Sequence, residues 1–265
     1  MLSFFLQLLI SGIITGSVYA LIALGFTLVY NSTSILNFSQ GEFVMIGAVF
    51  SAVLLSTFNL PLFVVFILVI LISAIVGFLV ERIAVRVLQP KNPTPIIMVM
   101  ATLAMSINIS NITRFVVGTS QFYVPPIIKG GISIGSVNIS AQEIIVIAYL
   151  LLTVFIMWFF LNKTMYGIAI KATGVNKYAA GLMGININTI IIISFILTSV
   201  LAGIGGMLIV PLIASSAVMG LPLAVKGFIA AILGGLTNPF AGIVGGVNHR
   251  NVGIVDQWLY FVHVG

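Results

Sequence analysis

The chain has 265 residues, 61% of them apolar and only 5% charged, with a net charge of +6. A water-soluble domain carries about 25% charged residues, so this composition excludes a soluble enzyme or binding module and places the chain in a lipid bilayer. The basic residues are too few and too interrupted by apolar runs for a nucleic-acid surface, and the lack of cysteine excludes disulfides, thiol chemistry and cysteine metal sites.

The apolar runs have the length of membrane helices, about 17–25 residues, rather than of barrel strands. The first covers roughly residues 4–30. It lacks a basic leader and reads as a spanning helix rather than a cleaved signal. Gly12 and Gly16 form a G-x-x-x-G pair that lets another helix approach closely. A polar break then runs from Asn31 to Glu42 and includes Asn37, Gln40 and Gly41. Glu42 is one of only four acidic residues in the chain. Two readings stay open: an ordinary interhelical loop, or a membrane-embedded break, which is tolerated only where protein or a watery cavity covers it.

A second apolar run covers about 43–58 and ends at a turn marked by Asn59 and Pro61. The third, about 62–80, leads into Glu81, Arg82, Arg86 and Lys91, a basic cluster expected in the cytoplasm. The fourth starts after Pro95 and reaches about 112. Its Thr102, Ser106, Asn108, Ser110 and Asn111 are unusually polar for a lipid-facing helix, which predicts burial among other helices. Whether these groups bond neighbouring helices or touch a solute is open. Residues 114–140 form the longest connection. The alternating Ile132, Ile134, Val137 and Ile139 predict a small external hairpin turning at Gly135-Ser136.

The fifth run covers about 143–161. Lys163, Lys171 and Lys177 then mark a second cytoplasmic segment. Val175, Tyr178, Ala179, Leu182 and Met183 recur at helical spacing as one apolar stripe, with Gly184 placed to end the helix. Such a helix lies in the lipid interface or is presented to a partner; spacing favours neither. The sixth run, about 188–210, carries Ala202, Gly203, Gly205 and Gly206 on a closely packing side. After an irregular stretch between Pro211 and Pro222, two short Gly-rich pieces follow, 226–236 and 237–247, broken at Asn238-Pro239. Paired interrupted segments of this kind build half-helices around a solute path. Gly234 and Gly235 read as packing positions, as do Gly203 and Gly206.

The expected fold is an all-α polytopic membrane protein. It is a bundle of about seven to eight transmembrane helices with broken or re-entrant segments and a small external hairpin. Counting crossings puts the N-terminus outside. No catalytic constellation is visible. His249 and His263 have no acidic or nucleophilic neighbour in sequence, the four acids are scattered, and no Walker loop is present. The chain is therefore expected to be no enzyme and to need no metal or cofactor.

Residues 16–48, GSVYALIALGFTLVYNSTSILNFSQGEFVMIGA, closely resemble the N-terminal signature of the branched-chain amino acid ABC transporter permeases. Residues 168–186, IAIKATGVNKYAAGLMGIN, resemble that family's cytoplasmic coupling loop, with Lys171 where the family usually has Arg. Residues 226–246, KGFIAAILGGLTNPFAGIVGG, resemble a third family block. The three stand in the family's order.

The resemblance implies a permease subunit of an importer of leucine, isoleucine and valine in the bacterial inner membrane. It implies a homologous second permease subunit, two cytoplasmic ABC ATPase subunits and an extracytoplasmic substrate-binding protein as partners. Asn37, Gln40, Gly41 and Glu42 would lie beside the translocation path or shape the break. Lys171, Asn176, Tyr178, Ala179, Ala180, Leu182 and Gly184 would form the ATPase-coupling loop. A urea or short-amide permease shares these signatures. A self-contained channel or secondary transporter is the competing class. The resemblance covers about residues 10–247, and residues 1–247 are taken as the permease domain. Residues 248–265 depart from the family's ending and read as an atypical tail, from truncation or an altered frame.

Overall fold

The computed structural model describes residues 2–89, 94–128, 130–134, 137–236, 238, 241 and 245–246. The atypical tail and the turn at Gly135-Ser136 lie outside the described residues, as does Pro239 of the proposed break.

About three quarters of the described residues are helical, as the apolar runs require in a medium that cannot solvate free backbone groups. The helices are α1 (Leu2–Thr33), α2 (Gln40–Ser56), α3 (Leu62–Val80), α4 (Pro95–Val117), α5 (Ala141–Lys163), α6 (Met165–Val175), α7 (Lys177–Leu182), α8 (Ile187–Ile209) and α9 (Gly220–Leu233). Among the described residues, five stretches are long and apolar enough to cross a bilayer: Ile10–Thr33, Leu62–Val85, Pro95–Val117, Ala141–Lys163 and Ile187–Ile209. Gln40–Ser56 and Gly220–Leu233 are shorter apolar helices. The chain is thus an all-α multi-pass membrane protein with interrupted segments.

Lipid supplies no hydrophobic force between helices, so close backbone approach and polar contacts must hold the bundle. Small residues supply both. α8 packs most extensively against α2 and α3, and α1 against α9 and α8. Gly47 of α2 lies against the Gly203 backbone, and Gly206 against the Val44 carbonyl and the Ala48 N–H. Gly203 also touches the Ser73 side chain, and Gly77 of α3 packs on Ser199. Gly203 and Gly206 therefore bring α8 onto two neighbours at once. Gly234 and Gly235 close α9, and Gly234 also meets Gly245, whose Cβ, if present, would lie 2.9 Å from the Gly234 N. The Gly234 N–H reaches the Ala230 carbonyl, and Gly235 has a φ of +77° with nothing near the position a Cβ would take. Backbone conformation, not packing, accounts for that glycine.

Several boundaries differ from the expected ones for local reasons. α4 continues past residue 112 because Thr113 keeps its buried face going, and it stops only at Gly118, with a φ of +89°. α9 begins at Gly220 and takes Pro222 into its first turn, where a missing N–H costs no helical bond. α3 passes directly into a π turn, Glu81–Val85. The wider turn carries Glu81 inward, fully buried, while Arg82 stays at the ring of Phe78, 5.8 Å from its centroid.

The hairpin forms as the alternation predicts. β1 (Gly131–Ile134) and β2 (Val137–Ser140) pair antiparallel, with Ile132 opposite Ile139 and Ile134 opposite Val137. Ser140 then starts α5 with a capping box: its side chain accepts from the Glu143 N–H while the Glu143 carboxylate accepts from the Ser140 N–H. The hairpin sits at the N-terminal end of α1, where the Gln7 amide bonds both backbone groups of Asn138 (3.0 and 3.1 Å). The lysine-bearing α6 and α7 sit at the other end. Gly174 packs on the Asn31 carbonyl, and the Lys177 ammonium donates to the Thr33 carbonyl. Hairpin and basic loop therefore lie at opposite ends of one spanning helix.

Candidate functional site

The six residues between α1 and α2, 34–39, are drawn in against the middle of α4. Ser34 turns the chain with a φ of +59°. Thr102 then ties the break to α4 at three points. Its hydroxyl proton is shared between the Leu36 carbonyl (3.2 Å) and the Val99 carbonyl of its own helix (3.0 Å), and its oxygen accepts from the Phe38 N–H (3.3 Å). Its carbonyl accepts from the Ser39 hydroxyl (2.8 Å). Phe38 packs edge-on to Phe26 of α1 and tilted on Phe228 of α9, at centroid distances of 5.8 and 5.2 Å. The break is thus covered by protein on several sides, which is the condition for irregular backbone at membrane depth.

α2 begins there, and Glu42 lies in its first turn. One carboxylate oxygen, Oε1, accepts from the Ser106 hydroxyl at 2.7 Å. Ser106 is the twelfth of the 23 residues of α4, so the carboxylate lies halfway along a spanning helix. The other oxygen, Oε2, has no hydrogen-bond partner among the described residues. Glu42 makes no side-chain cap on its own helix: the Gln40 and Glu42 N–H groups bond the Asn37 and Ser39 carbonyls instead. Its carboxylate lies against Gly220, the first residue of α9, and a Cβ there would collide with it. Gly41 meets the Gly220 carbonyl and Ala224 in the same way. Two short helices therefore start at one point, and both present their positive ends near a single carboxylate.

Asn37 and Gln40 are fully buried. Asn37 Oδ1 accepts from the Ser39 N–H (3.1 Å), but its Nδ2 has no partner among the described residues, nor has either side-chain polar atom of Gln40. A Cβ on Gly25 would occupy the place of the Gln40 amide. These two residues shape the break from inside the protein, whereas Glu42 also borders open space.

That space is a cavity of about 280 Å³ between α4, the loop before α9 and the start of α9. Glu42, Ser106, Ser110, Asn111 and Arg114 form its polar wall, and Ile107, Val218, Leu221 and Pro222 its apolar one. Ser110 donates to the Ala217 carbonyl (2.6 Å), holding the loop to α4, and the Arg114 guanidinium reaches back to the Ser110 hydroxyl at 3.4 Å. Asn108, Asn111 and Arg114 are exposed along α4, and Lys226 is exposed on α9 with its ammonium 5.5 Å from the centre of the Tyr19 ring. Bare lipid is a poor neighbour for such a face.

The unusual polarity of this run was the sequence signal for burial of α4, and Thr102, Ser106 and Ser110, four residues apart, are among its buried members. No spacing linked Glu42 to Ser106 or Gly220, since those contacts cross 64 and 178 positions of chain. Glu81 also escaped the sequence reading, where it stood in a basic loop. Both of its carboxylate oxygens are buried without a hydrogen-bond partner among the described residues.

The lysine-bearing corner departs from the expected single amphipathic helix. Val175 ends α6, and Asn176 opens α7 by accepting from the Ala179 N–H at 3.0 Å. Ala180 is buried beneath the turn. The Gly184 φ of +84° closes the helix as expected, with its N–H bonded to Gly181. Lys171 donates to Asn162 (2.7 Å), tying α6 back to the end of α5. Around this frame Val175, Tyr178, Leu182 and Met183 are 89%, 78%, 72% and 83% exposed and form one apolar surface. Lys177 is part-buried, and burial lowers its pKa.

The family described as branched-chain amino acid transport system / permease component matches residues 8–264. The high-affinity branched-chain amino acid transport system permease protein BraD of Pseudomonas aeruginosa is 28% identical, over 92% of this chain and 83% of its own length. The corresponding LivH protein of Escherichia coli K12 is 27% identical over the same shares. The galactose/methyl galactoside import permease protein MglC of the same organism is 29% identical over 97% of this chain and 78% of its own length. No solved structure matches the chain significantly. With interrupted helices meeting at a buried carboxylate and a family match over almost its whole length, the chain belongs to the branched-chain amino acid transport system permease family.

Proposed function

We propose that this chain is the transmembrane permease subunit of an ATP-binding-cassette importer for leucine, isoleucine and valine in a bacterial inner membrane. The carrying observation is the meeting of α2 and α9 at Glu42 beside an open cavity, halfway across the membrane. Short helices starting at membrane depth are how transporters bind solutes away from water. The names of the relatives BraD and LivH supply the substrate class.

The partners follow from two surfaces. The apolar corner of Val175, Tyr178, Leu182 and Met183 is the docking face for a cytoplasmic ATPase, one of two in the complex. The exposed polar face of α4 and α9 adjoins a homologous second permease subunit, so that the path runs between the two. A substrate-binding protein delivers the amino acid at the hairpin end. Within this reading Asn37, Gln40 and Gly41 shape the break, and Glu42 alone of the four borders the path.

The test is uptake of labelled leucine into proteoliposomes holding the complete complex, with and without internal ATP. ATP-dependent uptake competed by valine but not by urea is expected. An assembled complex that moves urea and not leucine overturns the substrate assignment. In the same assay Tyr178→Asp with Leu182→Asp is expected to abolish uptake while membrane insertion persists; unchanged uptake removes the docking role of the corner.

A further inference from the structure

We propose that the cavity between α4 and the start of α9 is a resting site for one zwitterionic amino acid with a short aliphatic side chain. This proposal rests on the importer reading above and assigns the atoms that hold the cargo. Glu42 takes the ammonium group, Arg114 takes the carboxylate, and Ile107, Val218, Leu221 and Pro222 receive the side chain.

The first argument is the state of the two charged groups. Glu42 is 1% exposed and keeps one oxygen, Oε2, without a hydrogen bond among the described residues. A buried acceptor left open this way costs free energy unless a donor fills it. Arg114 makes one side-chain hydrogen bond among the described residues, to Ser110 at 3.4 Å, and its guanidinium, which carries five N–H donors, belongs to a residue lining the same cavity. One end of the space thus lacks a donor, and the other offers several.

The second argument is spacing. An α-amino acid holds its ammonium nitrogen and carboxylate carbon about 2.5 Å apart. Charge-assisted contacts add about 2.8 Å at each end, so the protein groups that clasp a zwitterion stand roughly 8 Å apart. Here the carboxylate is pinned at Ser106 and the guanidinium at Ser110. Those serines are one turn apart on α4, about 6 Å of rise. That separation is of the order that a clasped α-amino acid backbone needs and shorter than an ω-amino acid, with its two opposite charges at the ends of a chain, calls for.

The third argument is the remaining wall. The apolar residues lie on one side, on the loop and first turn of α9 and at Ile107 of α4. A side chain projecting from the clasped backbone meets carbon, and among the described residues no further charged group lines the cavity to pair with an acidic or basic one. The 280 Å³ volume accommodates a four-carbon side chain with its backbone. A galactoside, which has neither charged group, would leave both Glu42 and Arg114 unpaired.

The test uses the complete complex in nanodiscs with Val218→Cys in this cysteine-free chain. Maleimide modification at position 218 is read by mass spectrometry. Leucine at about ten times its dissociation constant is expected to slow modification about tenfold, as occupancy requires. Isocaproate, which lacks the ammonium, and isoamylamine, which lacks the carboxylate, are expected to leave the rate unchanged. Protection is expected to vanish with Glu42→Gln and with Arg114→Gln, and to return in part with Arg114→Lys.

No protection by leucine, or equal protection by either analogue, overturns the site; neither outcome depends on a charge variant folding. Leucine uptake by the unmodified complex separates the two levels of the argument. Uptake without protection refutes the site alone, whereas an assembled complex with no leucine uptake refutes the importer reading and the site with it.

Discussion

Adding one methyl group at Gly47 tests how the bundle is held. A Cβ built there lies 2.6 Å from the Gly203 Cα and nearer still to the Gly203 carbonyl, so every obstruction is backbone. Carbon atoms in contact prefer about 3.5–4.0 Å, so α2 and α8 must part by roughly 1 Å. That movement also loosens the Gly206 contact with Val44 and Ala48 one turn along. Overpacking of this kind costs about 1–3 kcal/mol, and at roughly 2–4 °C per kcal/mol for a chain of this size Gly47→Ala lowers the unfolding temperature by several degrees. Gly205→Ala is the control. Its Cβ meets the Leu21 Cδ1 at 3.0 Å, the far end of a side chain that can turn aside, and the predicted change is under about 1 °C. The assay is thermal unfolding of the detergent-solubilised complex followed by size-exclusion chromatography. Equal melting of the wild type and Gly47→Ala, or an equal loss in both variants, refutes the argument that backbone contact rather than glycine content holds this seam.

Three further outcomes are expected. Ser106→Ala strips Glu42 of its one hydrogen bond; the buried carboxylate then costs about 1–3 kcal/mol, visible as reduced thermal stability that Glu42→Leu in the same background restores in part. Asn176→Ala removes the cap of α7 at a cost of about 1 kcal/mol; hydrogen exchange across 177–183 should speed up, with Asn176→Asp close to wild type. Lys177 gives a pH signature. Its pKa is lowered by burial, so the unfolded chain holds that proton more tightly than the folded one. Wild-type stability relative to Lys177→Gln therefore rises with pH through the window just below the ordinary lysine value of 10.5, and a melting difference that falls there contradicts the burial argument.

Much of the architecture was legible because lipid imposes simple rules. The run 62–80 became α3 with the expected bounds, and the alternation at Ile132 to Ile139 became the hairpin. Gly184 closed its helix because that position needs a left-handed backbone. What periodicity could not give was contact between distant segments. Glu42 stood out as a rare acid, yet its partners Ser106 and Gly220 follow only from the packing of three helices. The inward turn of Glu81 depends on a π turn whose sequence, Glu81–Val85, differs in no obvious way from an ordinary helix end. Gly235 resembled a packing position because sequence cannot distinguish a glycine needed for closeness from one needed for its φ.

The contact of Gly174 and Lys177 with the last carbonyls of α1 joins two regions that sequence keeps apart. From Thr33, where Lys177 is fastened, only nine residues of continuous backbone lead to Glu42. Six of these are the break itself, stapled at Thr102 to the helix that carries Ser106 and Arg114. In the importer proposed above, a tug on that corner reaches the buried carboxylate along a single covalent strand, with lever and latch as adjacent lengths of one cord.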